Sequence, residues 1–147
     1  MNDNAKATAS HRRFVEEIVN TGKVWGLKTA EGWANTPSAV YEDAHVLPFW
    51  SDMELAQAVA IEDWAEYKPQ AINLVEFLEN WLIGMDDDGT IAGTNWDTDM
   101  VGTETEPLEL ALQIVQRLRV TKQFVRLKNF KDLNDYDRQI KDALSMP

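Results

Sequence analysis

The apolar residues of this chain change period several times, and that alternation limits the folds open to it more than any other property. In "SHRRFVEEIVNTG", Phe14, Val15, Ile18 and Val19 recur at helical spacing. Ser10 is placed to cap this helix, and Gly22 to end it. "KVWGLKT" and "GWANT" are short and β-prone, and Ala30-Glu31-Gly32 between them predicts a hairpin. After a loop around Pro37, "AHVLPF" predicts a third strand, with Leu47 and Phe49 on one face and Pro48 at an edge or end.

"SDME" then has the form of a capping box, Ser51 with Glu54, opening a helix over residues 52–66 with Met53, Ala56, Ala60, Trp64 and Tyr67 along one face. Lys68-Pro69 is expected to stop it. "QAINL" predicts a strand and "LVEFLENWLIG" a helix ending at Gly84. "MDDDG" predicts a turn into the strand "TIAGTNW". Beyond a polar loop over 97–105, Pro107 suits the first position of a helix striped by Leu108, Ala111, Leu112, Val115 and Leu118. The order α-β-β-β-α-β-α-β-α over residues 10–118 predicts an α+β domain, a small, mainly antiparallel sheet covered by helices.

Residues 119–147 form a C-terminal extension. "KQFVRLKNF" fits strand or helix, and "NDYDRQIKDALS" predicts a docked terminal helix with Asn134 as cap and Tyr136, Ile140 and Leu144 as its stripe.

Charge divides the chain at nearly the same place. Residues 1–116 hold 6 Lys+Arg against 21 Asp+Glu, and residues 117–147 hold 8 against 4. An acidic body repels phosphate, so nucleic acid is not an expected partner for it. The basic tail is expected to fold back on the acidic body. There is no cysteine, which removes disulfides, thiolate metal sites and cysteine nucleophiles. No apolar stretch reaches the length of a membrane span, and the polar amino terminus lacks a signal peptide, so a cytoplasmic location is expected.

The motifs of common enzymes are missing. The glycines make no phosphate cradle or dinucleotide fingerprint, and the serines sit in no nucleophile elbow. His11 beside Arg12 and Arg13 suggests a solvated histidine. His45 near Glu42 and Asp43 has the ingredients of a general base but no nucleophile beside it. Asp86, Asp87, Asp88, Asp97 and Asp99 supply oxygen ligands without the spacing of a calcium loop, and a solvated turn is the simpler reading. Within that group Asp97 and Asp99, two apart in a loop, are best placed to converge. No metal or cofactor is expected.

Six tryptophans remain, at positions 25, 33, 50, 64, 81 and 96. Core packing accounts for most of them, but each indole N–H needs a partner and one small core rarely takes six rings. Two or three are expected at a recognition surface, with Trp25, Trp33, Trp50 and Trp96 as candidates together with Asp97 and Asp99.

The segments "VWGL", "GWA", "LPFWSD", "FLENWL" and "NWD", in this order from about Phe14 to Leu118, resemble a family of small bacterial proteins known only as a domain of unknown function. The resemblance implies a compact cytosolic α+β domain and carries over no catalytic residue. The expected function is a non-enzymatic protein-binding module, of the kind seen in immunity or regulatory proteins, with a protein partner or a second copy of the chain. The alternative is a planar ligand or nucleotide held between tryptophans. A carboxylate hydrolase using Asp97, Asp99 or Glu104 ranks last.

Overall fold

The computed structural model describes residues 3–146. Its first helix, α1 (Asp3–Thr21), buries Phe14, Val15, Ile18 and Val19 as the spacing predicts. The helix begins well before Ser10, so Ser10 lies inside it and caps nothing. Gly22 takes φ +75 and donates to Ile18 O, ending the helix in a left-handed turn.

The strands form two sheets rather than one. In the first, β1 (Lys23–Thr29) lies between β2 (Gly32–Trp33) and β5 (Lys68–Asn73), all antiparallel. In the second the order is β3 (Thr36–Pro37), β4 (His45–Phe49), β6 (Ile91–Thr94) and β7 (Thr103–Thr105). The β4–β6 pair is parallel, from Val46↔Ile91 to Phe49↔Thr94. A parallel pair needs a long crossover, and the chain between Phe49 and Ile91 provides it. Trp25 and Trp50 join the sheets by exchanging backbone bonds of 2.9 and 2.7 Å. Both sheets are mostly antiparallel, and the fold is α+β.

Pro48 marks the changeover along β4. The amides of residues 46, 48 and 50 face the same side, where β3 pairs with His45 and Val46, and β1 with Trp50. Position 48 falls between these partners, so a residue without an N–H leaves no ladder bond unmade. Leu47 and Phe49 turn to the main core and Val46 to a smaller cluster behind it, as alternation predicts.

Beyond α1, helix boundaries depart from the sequence expectations in three further places. First, α2 (Met53–Val59) is capped by Asp52, whose side chain accepts from Leu55 N at 2.8 Å. Ser51 instead bonds Glu17 and is buried, so the cap lies one residue later than expected and no capping box forms. The helix stops at Val59, a short 3-10 turn covers Glu62–Trp64, and Lys68 and Pro69 begin β5. Second, α3 (Leu74–Glu76) runs through a π-helical turn (Phe77–Trp81) into α4 (Leu82–Asp88). Gly84 is therefore interior, and Asp86–Asp88 are the last helical turn rather than a loop. Gly89, at φ +71, is the actual C-terminal stop. Third, α6 (Leu133–Leu144) is capped by Asp132, not Asn134, whose Oδ1 accepts from Arg119.

Pro107 opens α5 (Pro107–Val120) at its first turn, as expected. The main core gathers α1, β1, β4, the 74–88 helix and α5, and α6 adds Tyr136 and Ile140 to it. Leu144 remains 41% exposed, so the predicted stripe of α6 is two residues long. The segment between α5 and α6 is neither strand nor helix. Its Lys128 and Asn129 amides donate to buried Glu79 at 2.5 and 2.9 Å, and Tyr136 Oη donates to Leu78 O at 2.6 Å. Both tail anchors sit on the π-helical turn, one on the Glu79 carboxylate and one on the Leu78 carbonyl.

Candidate functional site

The structure separates the tryptophans expected at a surface. Trp50 is fully buried, and its Nε1 donates to Trp96 O at 2.9 Å. Trp96 is 6% exposed and donates to Thr103 O at 3.0 Å. Neither offers a free face to a planar ligand, which corrects their place among the surface candidates. Their indole N–H groups are satisfied by backbone carbonyls inside the protein, so burial leaves no donor unpaired. Trp33 is half-buried against the main core, edge-on to Trp81 at 4.7 Å, with Lys28 Nζ 5.1 Å from its ring centre. Trp25 packs beside a second cluster with Trp50, Ala56 and Val59.

The carboxylates singled out by sequence hold loops. Asp97 Oδ1 accepts from Asp99 N at 2.9 Å and Val101 N at 3.0 Å, tying down the 97–101 turn. Asp99 stays exposed at its crest. Glu104 accepts from the Ser38 hydroxyl and from Ala39 N, securing a different loop. Among the described residues no group of three or more His, Asp or Glu is placed to hold a metal ion. His11 is not the solvated residue its neighbours suggest. Its Nε2 is 2.5 Å from Gln113 Oε1 and its Nδ1 2.8 Å from Thr94 Oγ1, so it links α1 to α5 and β6.

A groove of about 380 Å³ lies between β3, the end of α2 and the 97–101 turn. Its apolar lining is Pro37, Val59, Ile61, Trp64 and Met100, of which Ile61 is 45% and Met100 42% exposed. Glu62 and Asp63 supply its charge, Asn35, Thr36 and Thr98 its neutral polar groups, and among the described residues no basic side chain lines it. Asp99 stands between two lining residues.

Two of the lining residues hold left-handed backbone without being glycine: Glu62 at φ 53 and Met100 at φ 62. Each such conformation costs on the order of 1 kcal/mol and persists only where the surroundings enforce it. At Met100 the enforcement comes from Asp97, whose backbone carbonyl accepts from Met100 N and whose carboxylate accepts from the residues on either side. At Glu62 it comes from the break after Val59. Ala60 N folds back to Gln57 O, Ile61 N to Val59 O, and Trp64 N to Ile61 O. This turn swings Ile61 outward and puts Trp64 against the second cluster.

Sequence reasoning missed Ile61 and Met100, and assigned Trp64 to a continuous helical stripe. A single signal was available: each of these two large apolar residues has acidic neighbours within two positions, Glu62 and Asp63 after Ile61 and Asp99 before Met100.

A larger hollow, about 690 Å³, follows the seam between the 74–88 helix and the tail. Its buried acid, Glu79, is already occupied by tail amides, so the hollow belongs to the docking of the tail.

The model of a family described as a protein of unknown function, DUF2750, matches residues 11–114, and the chain belongs to that family. No curated protein and no solved structure matches it. Among the described residues no helix is long and apolar enough to cross a membrane.

Proposed function

We propose that this chain is a non-enzymatic protein-binding module whose groove receives a segment carrying a large apolar side chain beside positive charges. The observation that carries this reading is the composition of the groove: Ile61 and Met100 exposed beside half-buried Trp64, with Glu62, Asp63 and Asp99 around them and no cation among the described lining residues. An apolar centre with a charged rim is the usual anatomy of a recognition surface, and tryptophan is a frequent anchor. The strongly acidic body adds long-range attraction for a basic partner. Immunity to a basic toxin and regulation of a basic protein are two forms of the same activity.

A photo-crosslinking amino acid at position 100, with the same probe at position 144 on α6 as control, tests the reading in cells. The expected outcome is one protein adduct from position 100 and not from 144, lost when Glu62→Lys and Asp63→Lys are combined. No protein adduct from position 100, or equal adducts from both positions, overturns the reading.

A further inference from the structure

The segment that joins α5 to α6 has an unusual presentation. Phe124 is 85% exposed, the most exposed of the large apolar side chains among the described residues. The residues around it alternate: Lys122, Phe124, Arg126 and Lys128 point outward, whereas Val125 and Leu127 pack against the main core. Alternation of this kind is that of an extended chain with one dry and one wet face. The wet face here is aromatic and cationic.

Both ends of this segment are fixed. Gln123 N donates to Leu118 O, and Gln123 Nε2 to Val19 O at 3.1 Å. At the other end Glu79 holds the amides of Lys128 and Asn129. An anchored segment loses little conformational entropy when it docks.

This face and the groove complement one another: Phe124 matches the pocket between Ile61, Trp64 and Met100, and Lys122, Arg126 and Lys128 match Glu62, Asp63 and Asp99.

They cannot meet within one molecule. Thr103, just after the 97–101 turn, bonds Ala7 O near the start of α1, whereas Gln123 bonds Val19 O near its end. The stretch of α1 between those carbonyls spans roughly 18 Å at 1.5 Å per residue.

Resting on the groove reading above, we infer that the occupant of the groove is the Lys122–Lys128 face of a second copy of this chain, docked through Phe124. The contact is head-to-tail: the two surfaces it uses differ, so each added copy leaves one groove and one tail face unfilled. Such assembly grows with concentration; salt weakens the pairs that flank Phe124 and also screens the repulsion between two copies of net charge −11.

Light scattering on purified full-length protein tests this with two variants whose substitutions are on exposed side chains. Phe124→Glu spoils the tail face and keeps the groove. Ile61→Lys with Met100→Lys spoils the groove and keeps the tail face.

The wild-type chain is expected to exceed its 16.8 kDa mass increasingly with concentration, and each variant alone to stay at 16.8 kDa. An equimolar mixture should form a dimer and stop there, at twice the chain mass, because one good groove and one good tail face remain in the pool.

A wild-type protein that stays monomeric at its highest soluble concentration overturns the inference. So does assembly that survives either variant, or a mixture that stays monomeric. If assembly fails but the probe at position 100 still captures a different protein, the groove reading stands without self-association. If position 100 captures no protein at all, both fall.

Discussion

Gly93 faces Trp96 across a gap that no Cβ can occupy: a methyl carbon at position 93 would lie 2.7 Å from Trp96 Cε2. Gly102 closes the other approach, where the same carbon would come within 2.1 Å of Cδ1. The indole thus lies between two stretches of bare backbone, one in β6 and one just before β7. Trp96 is followed directly by Asp97, the residue that ties down the 97–101 turn, so this packing anchors the turn that carries Met100.

Adding a methyl group at either glycine is therefore expected to destabilise the protein. Overpacking a rigid core costs about 1–3 kcal/mol, and Gly93→Ala should fall within that range, with Gly102→Ala at least as costly. Gly84→Ala supplies the contrast. It has open space around its Cβ position and sits in α4, where alanine replaces the poorest non-proline helix former, so a gain of about 0.5–1 kcal/mol is expected. Urea unfolding midpoints at unchanged m-value measure all three.

Much of the fold is legible in the sequence because burial imposes a period. Phe14, Ile18 and Val19, or Leu108, Ala111 and Val115, announce their helices whatever they pack against. Other features depend on residues distant along the chain. The break after Val59 follows from backbone bonds in the 57–67 turn, which no Gly or Pro announces. Trp50 reads as a large ring at a junction, and only its bridge to Trp25 and its bond to Trp96 O make it interior. Gly93 did carry a signal, since a glycine inside a strand pattern marks a close approach. The approaching group, three residues further on, was not readable. The groove was the least legible part, because its lining comes from three separate segments and two of its residues depend on left-handed backbone.

The cap of α2 distinguishes two neighbouring residues that look interchangeable in sequence. Asp52→Ala removes the acceptor for Leu55 N and should cost about 1 kcal/mol. Glu54→Ala should leave the cap intact, because Glu54 does not reach back as a capping box requires. Ser51→Ala acts elsewhere: it removes the bond to Glu17 and leaves Asn95 Nδ2 without its 3.0 Å partner. Thermal unfolding of the three single variants should rank Glu54→Ala nearest to wild type.

Tyr136 makes the protein sensitive to alkali. Burial, and secondarily the charge of Glu79, pushes the ionisation of its hydroxyl well above the ordinary tyrosine range. The folded state therefore favours the neutral phenol. Its contribution is complete below the unfolded value, near pH 10, and is lost progressively as the pH rises above that value. Tyr136→Phe removes this dependence and also the bond to Leu78 O, at a cost of about 1–2 kcal/mol at neutral pH. Melting temperatures measured between neutral pH and pH 11 should fall less steeply for the variant, starting from a lower value. Parallel curves would mean that Tyr136 does not carry the alkaline transition.

Glu79 fixes the far end of the segment that carries Phe124, so it can be tested apart from the fold as a whole. Glu79→Ala leaves the amides of Lys128 and Asn129 without an acceptor, whereas Tyr136 and Ile140 still hold α6 to the core. Losing a buried, charged acceptor costs about 1.5–3 kcal/mol, and here the loss falls on one local segment. Amide hydrogen exchange at Lys128 and Asn129 should accelerate, with helix α5 little changed. Because a loosened segment pays more entropy on docking, concentration-dependent assembly should weaken in the same variant even though Phe124, Arg126 and the groove are untouched. Faster exchange with undiminished assembly would show that the anchoring of this segment does not matter to its docking.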